Sequence, residues 1–337
     1  MSRFRRPVLA AITSVTALLA LTTLPASASD DARFAEQWSL PKIGAPAAWA
    51  NTTGAGVRIG IVDTGADLEH EDLAGKIVAH TSCIGSNGDP AKCTGSGQDE
   101  QGHGTHVAGI AAAAKDNHLG VAGVAPDAEL VVAKVLGAAG AGTTEDINAG
   151  IRWVVDHGAK VVNLSLGDPN YLITSLNGTP LSEGIEYAWA HGAIPVLASG
   201  NTNPLGVGLL GSSEYGSVNA VVVGATGPSD QVAPYSSPLG NAKWSIMAPG
   251  GIGGGTPARD ILSSIWKKGE HNQYAALAGT SMAAPHVAGA LALLLAQGYG
   301  QQAAVDRLLA TADRSVSCGL MSGNCAGRLD VARATSR

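Results

Sequence analysis

Largely apolar, β-branched runs recur along the chain at Val57–Val62, Lys76–Ala79, Leu130–Val135, Val161–Leu166, Ile194–Ala198 and Ala220–Val223. They are near-continuous rather than alternating, which is the pattern of strands covered on both faces, as in a parallel sheet. Segments with helical spacing lie between and after them, at Gly104–Ala114, Thr144–His157, Ser182–His191, Ser281–Ala296 and Gln301–Ala312. This order of strands and helices predicts an α/β fold: a doubly wound, mostly parallel sheet with helices on both faces, three layers in all.

In such a sheet, functional groups gather at the carboxyl ends of the strands. Asp63 ends the first run, Ser165-Leu166-Gly167 ends another, and Ser199-Gly200-Asn201 ends a third. The topology therefore predicts that these segments converge.

The first 28 residues follow a different pattern. Arg3, Arg5 and Arg6 precede an apolar stretch from Val8 to Leu24, and Ala26-Ser27-Ala28 supplies a small-x-small cleavage site. This reads as a secretory signal peptide, and it predicts a secreted, extracellular protein. The remainder, 29–337, reads as a single domain: no Pro-rich or charged linker divides it, and no later apolar stretch suits a membrane span. A soluble monomer is expected, with no membrane association once the leader is removed.

Composition narrows the partners. The formal charge is −6, and the leader holds three arginines and no acid, so the exported part is more acidic still and argues against nucleic acid. The 45 glycines exceed the usual share and imply tight turns and close backbone approach. All four cysteines, Cys83, Cys93, Cys318 and Cys325, lie in the exported part, where an oxidising compartment favours pairing. Three connectivities are open; Cys83 with Cys93 and Cys318 with Cys325 are favoured because each closes a short loop rich in Gly, Asn and Ser. Zinc is the rival use, but no Cys-x-x-Cys spacing occurs.

The candidate chemistry centres on Gly279-Thr280-Ser281-Met282-Ala283-Ala284-Pro285-His286, where one serine opens an Ala/Leu-rich helix. A serine hydroxyl needs a base, a group to orient that base, and donors for the oxyanion that forms. Upstream, an apolar run ends in Asp63-Thr64-Gly65, and Gly102-His103-Gly104-Thr105-His106 opens a small-residue helix. The candidates thus appear in the order Asp63, His103, Ser281. On these three segments, from about Trp38 to Ala334, the chain resembles the subtilisin-like serine proteases, peptidase family S8.

The resemblance implies a serine endopeptidase on a subtilisin-like three-layer fold, with Ser281 as nucleophile, His103 as base and Asp63 as the group orienting it. His106 and His286 then read as packed in their helices. The family's Gly-Asn pattern carries the oxyanion donor to Asn201, beside Ser199 and Gly200. Ser165-Leu166-Gly167 and Gly140-Ala141-Gly142 match segments that bind an extended peptide as a strand, so polypeptide substrates of broad specificity are implied. A mild apolar preference follows from the leucines in Pro204–Gly211. No cofactor is required for the chemistry; a structural calcium ion is a further implication, with Asp72 and Asn117 as side-chain ligands and carbonyls around Ala114, Leu119 and Val121. Trp38 onward already resembles the start of the catalytic domain, so no long pro-region is expected. The histidine's ordinary pKa of about 6.5 would set the acid limb of activity.

Other classes are weaker. The Gly-x-Ser-x-Gly elbow of α/β-hydrolases is absent, and His70-Glu71-Asp72-Leu73-Ala74 lacks the second histidine of a zinc peptidase. A narrow processing protease or an exported pseudoprotease that binds peptides in the same groove remains the alternative.

Overall fold

The computed structural model describes residues 1, 29–166, 181–201, 218–320 and 322–337. The leader, Gly167 and the 204–211 segment lie outside the described residues.

The core is an eight-stranded sheet whose members are β1 (Arg58–Asp63), β2 (Ile77–Ser82), β3 (Glu129–Lys134), β4 (Val161–Leu164), β5 (Ile194–Ala198), β6 (Val221–Thr226), β7 (Trp244–Pro249) and β10 (Cys325–Arg328). Their spatial order is β10-β7-β6-β5-β4-β1-β3-β2, and the pairings are parallel. Strand order reverses direction around β1 and β4, the kind of switch point at which crevices open beyond the carboxyl ends. The fold class expected from the sequence is the one observed.

Central strands are buried along almost their whole length because both faces are covered. On one face lie α1 (Ser39–Lys42), α2 (Ala45–Ala48), α3 (His103–Ala112), α6 (Thr280–Ala296), α7 (Gln301–Ala310) and α8 (Val331–Thr335), which join the larger apolar cluster. On the other lie α4 (Thr144–Asp156) and α5 (Ser182–Ala190), packed on Val62, Val131, Val162 and Leu197. Thr143 caps α4 by accepting from the Asp146 N–H, and Glu145 and Asp146 in the first turn favour its dipole. α6 is buried over most of its 17 residues, so it runs as a central helix rather than an amphipathic surface one.

A separate antiparallel hairpin, β8 (Ile261–Lys267) with β9 (Glu270–Leu277), seats α3. Ser263 and Ser264 donate to the carbonyls of His106 and Thr105 at 2.9 and 3.0 Å. The structure pairs Cys83 with Cys93 and Cys318 with Cys325, the two local connectivities.

Candidate active site

Asp63 closes β1 and is fully buried; its register partner on β3 is Lys134. Its Oδ1 accepts the Thr64 N–H at 2.7 Å and the Nδ1–H of His103 at 2.8 Å. A carboxylate only accepts, so the proton sits on Nδ1 and leaves Nε2 of the neutral ring as the basic atom. The contact requires α3 to start directly over the end of β1. Gly104 permits this: a Cβ there would stand 2.0 Å from the Gly65 carbonyl oxygen. Asp99 shapes the approach, since its carboxylate accepts the N–H groups of Gln101, Gly102 and Thr105 and the Thr105 hydroxyl. Gly102, the residue before α3, takes φ 107°, a left-handed conformation that suits glycine.

Burial of the His103 ring disfavours its cation. The Asp63 charge and hydrogen bond, with the Asp99 charge behind them, outweigh that penalty and hold the imidazole pKa above its ordinary value. The sequence-based expectation of about 6.5 therefore moves upward.

Ser281 is the second residue of α6 and is 8% exposed. Its hydroxyl donates to the Ser165 carbonyl at 3.2 Å, so in this conformation its hydrogen faces Ser165 rather than the imidazole. Helix N-terminal N–H groups lack intrahelical partners, and the Ser281 amide, at the second position of α6, is one of them. Asn201 stands opposite. Its Oδ1 accepts the Thr280 N–H at 2.9 Å and the Thr280 hydroxyl at 3.0 Å, so its NH₂ group is the end left to donate elsewhere. The Thr280 hydroxyl oxygen also accepts the Gly200 N–H at 3.1 Å.

The remaining candidates distribute as follows. Ser165 and Leu166 follow β4 and are buried, Ser165 against the start of α6 and Leu166 in the apolar cluster on the opposite face of the sheet. Ser199 is buried, its hydroxyl donating to the Ser237 carbonyl. Gly140, Ala141 and Gly142 form an exposed turn closed on itself, with the Gly137 N–H donating to the Ala141 carbonyl. His106 and His286 are fully buried and lie in α3 and α6; burial pushes their pKa values down to about 3 and about 4.

Asp72 and Asn117 are brought together at 3.0 Å, but as a hydrogen-bonded unit. Asp72 accepts from the Asn117 amide, the Val121 N–H and the Tyr274 hydroxyl, while Asn117 Oδ1 accepts the Leu119 N–H. Burial, the largest influence, leaves the Asp72 carboxyl above the usual range despite these donors. Calcium takes six to eight oxygen ligands. Here the side-chain oxygens of both candidates already hold protein donors, and among the described residues no group of three His, Cys, Asp or Glu could hold a metal. As arranged, a calcium ion at this pair would have to displace the Asn117 amide from the Asp72 carboxylate.

Thr280 and Lys134 escaped the sequence reading. Thr280 anchors Asn201 and Gly200, a role that shows only when β5 and α6 are placed side by side. Lys134 ends an apolar run like any solvated strand-end charge, yet its Nζ is buried and donates to the Thr64 carbonyl at 2.8 Å, behind the Asp63 turn.

Known proteins share this architecture. The chain is 37% identical to thermitase of Thermoactinomyces vulgaris over 78% of its length and 83% of that protein. It is 39% identical to subtilisin Savinase of Lederbergia lenta, covering 76% of this chain and 83% of that one. A solved protease structure from Pseudoalteromonas arctica superposes with a TM-score of 0.75 at 29% identity, over 92% of this chain and 99% of that one. The subtilase family model matches residues 54–320, and the chain accordingly belongs to the subtilase family of serine endopeptidases.

Proposed function

We propose that this chain is a secreted endopeptidase that hydrolyses peptide bonds through an acyl-enzyme formed on Ser281. His103 Nε2 takes the Ser281 proton as the hydroxyl oxygen attacks the carbonyl carbon, and returns it to the leaving amine. Asp63 keeps the ring in the tautomer with Nε2 free and stabilises the imidazolium. The Asn201 NH₂ and the Ser281 N–H donate to the oxyanion, and the positive end of the α6 dipole favours the same charge. Water then repeats the sequence on the ester. The observation that carries this reading is the 2.8 Å bond from His103 to the buried Asp63, which fixes the ring's tautomer.

Substrate is held as an extended strand by main-chain groups of Ser165-Leu166-Gly167 and Gly140-Ala141-Gly142, with Ser199 and Gly200 beside the oxyanion donor, giving broad specificity and a mild apolar preference. The chemistry needs no metal or cofactor. The signal-like leader, the paired cysteines and, among the described residues, no helix long and apolar enough to cross a membrane support an extracellular monomer of one domain, 29–337.

Digestion of an unfolded, reduced protein by the mature chain, with every product end mapped by mass, tests the function. Cuts at many sites, abolished by Ser281→Ala, are expected. One or two cuts would indicate a narrow processing protease, and none a peptide-binding pseudoprotease.

A further inference from the structure

Pro285 stands four residues after Ser281 inside α6. In an uninterrupted helix the carbonyl of Ser281 would accept the N–H of residue 285, and proline has none. The carbonyl is instead taken by the Ser165 hydroxyl at 2.7 Å. Ser165 thus holds the nucleophile twice, because its own carbonyl accepts the Ser281 hydroxyl. The Ser165 hydroxyl has a single hydrogen and is free to rotate unless a donor occupies its lone pair. Asn163 supplies that donor: its Nδ2 lies 2.9 Å from Ser165 Oγ.

Asn163 is an unusual tenant of its position. It is fully buried in β4, in register with Ile61 on β1 and Val196 on β5, where the flanking strands present apolar side chains. Its Oδ1 is buried without a partner among the described residues. An orphaned buried acceptor lowers stability, and an apolar residue of the same shape would remove that cost. Packing therefore gives no reason for an amide here, whereas the relay to Ser281 does.

We infer that Asn163 is a positioning residue for the nucleophile: by orienting the Ser165 hydroxyl onto the Ser281 carbonyl, it registers the first turn of α6 against β4 in place of the helical bond that Pro285 cannot make. The inference rests on Ser281 being the nucleophile. Without Asn163 the hydroxyl loses its orientation, the carbonyl loses its donor, and the turn carrying Ser281 loosens while the rest of α6 stays packed.

The test compares the parent with Asn163→Leu, Ser165→Ala and the double variant on a short peptide anilide, with active sites counted by a fluorophosphonate and melting followed in parallel. Asn163→Leu is expected to lower kcat about tenfold to a hundredfold with KM within about twofold of the parent. Its melting temperature is expected to equal or exceed the parent's, a combination that loss of fold would not produce. Ser165→Ala should lower kcat in the same way, and the double variant should be no worse than the larger single loss, because both residues act through one contact. Ser165→Ala removes a single oxygen and serves alone if Asn163→Leu does not fold. Parent-level kcat in either variant, or losses that multiply in the double variant, would overturn the inference. A parent that takes up no fluorophosphonate on Ser281 would instead overturn the functional reading beneath it.

Discussion

Nδ1 of His103 and Oδ1 of Asp63 lie 2.8 Å apart, one ring at the start of α3 and one carboxylate at the end of β1, with the carboxylate wholly buried. The bond spans two elements that meet only because Gly104 lacks a side chain. Its energetic consequence is a raised imidazole pKa, because the neighbouring carboxylates outweigh the desolvation of the ring.

Catalysis by this ring needs the neutral form, so kcat/KM should rise with pH through a midpoint above the ordinary imidazole value of 6.5. The same raised pKa stabilises the fold below the unfolded histidine's pKa, a contribution lost as pH climbs through the folded one. Asp63→Asn should lower both the midpoint and kcat, the latter by about 10⁴ as in other triads whose histidine loses its tautomer control. A pH-rate profile of the two proteins checks this; an unmoved midpoint would count against the pairing.

Asn201 donates to the proposed oxyanion only because Thr280 holds its other end. Asn201→Ala should cost about 10²–10³ in kcat, the magnitude known for the matching donor in subtilisin, with KM little changed. Thr280→Val keeps the backbone anchor and removes the hydroxyl one, so a smaller loss in the same direction is expected from the same assay.

Acid should unfold the protein early. His106 donates from Nε2 to the Ala275 carbonyl and His286 from Nδ1 to the Met282 carbonyl, and each remaining ring nitrogen is buried without a partner among the described residues. Burial depresses both pKa values, to about 3 and about 4, so the unfolded chain binds protons that the folded chain refuses. Stability present above pH 6.5 is therefore lost as pH falls from 6.5 toward 4, by up to about 1.4 kcal/mol per pH unit for each histidine. Melting temperature against pH measures it, and His106→Gln should flatten the slope.

The disulfides close short loops, of sequence separation 10 and 7. Loop-closure entropy gives about 2–3 kcal/mol for each. Denaturant midpoints of the Cys83→Ala/Cys93→Ala and Cys318→Ala/Cys325→Ala proteins should fall accordingly and become insensitive to reductant at the removed bridge.

Much of this was legible in the chain because burial on both faces writes itself as uninterrupted apolar runs. Val57–Val62 announced β1, and Ile194–Ala198 coincides with β5. The strands that escaped lack that signal. β7 interrupts its apolar residues with Ser245 and ends in Pro249, and β9 carries Glu270, His271, Asn272 and Gln273, which are exposed or half-buried. Ser165 was expected to end a strand, but β4 stops at Leu164 and Ser165 turns toward Ser281. Asp63, His103 and Ser281 carried their own motifs. Thr280, Lys134 and Asn163 did not, since each matters through a partner distant in sequence, and an amide inside an apolar run looks like a blemish until Ser165 is seen beside it.

The proposed chemistry stands on activation of Ser281 by His103. Fluorophosphonate labelling of the mature protein, read by peptide mass with Ser281→Ala and His103→Ala alongside, tests it most directly. One adduct per chain on Ser281 is expected, with none in Ser281→Ala and strongly slowed labelling in His103→Ala. An adduct elsewhere, or labelling of Ser281 at the same rate without His103, would contradict it.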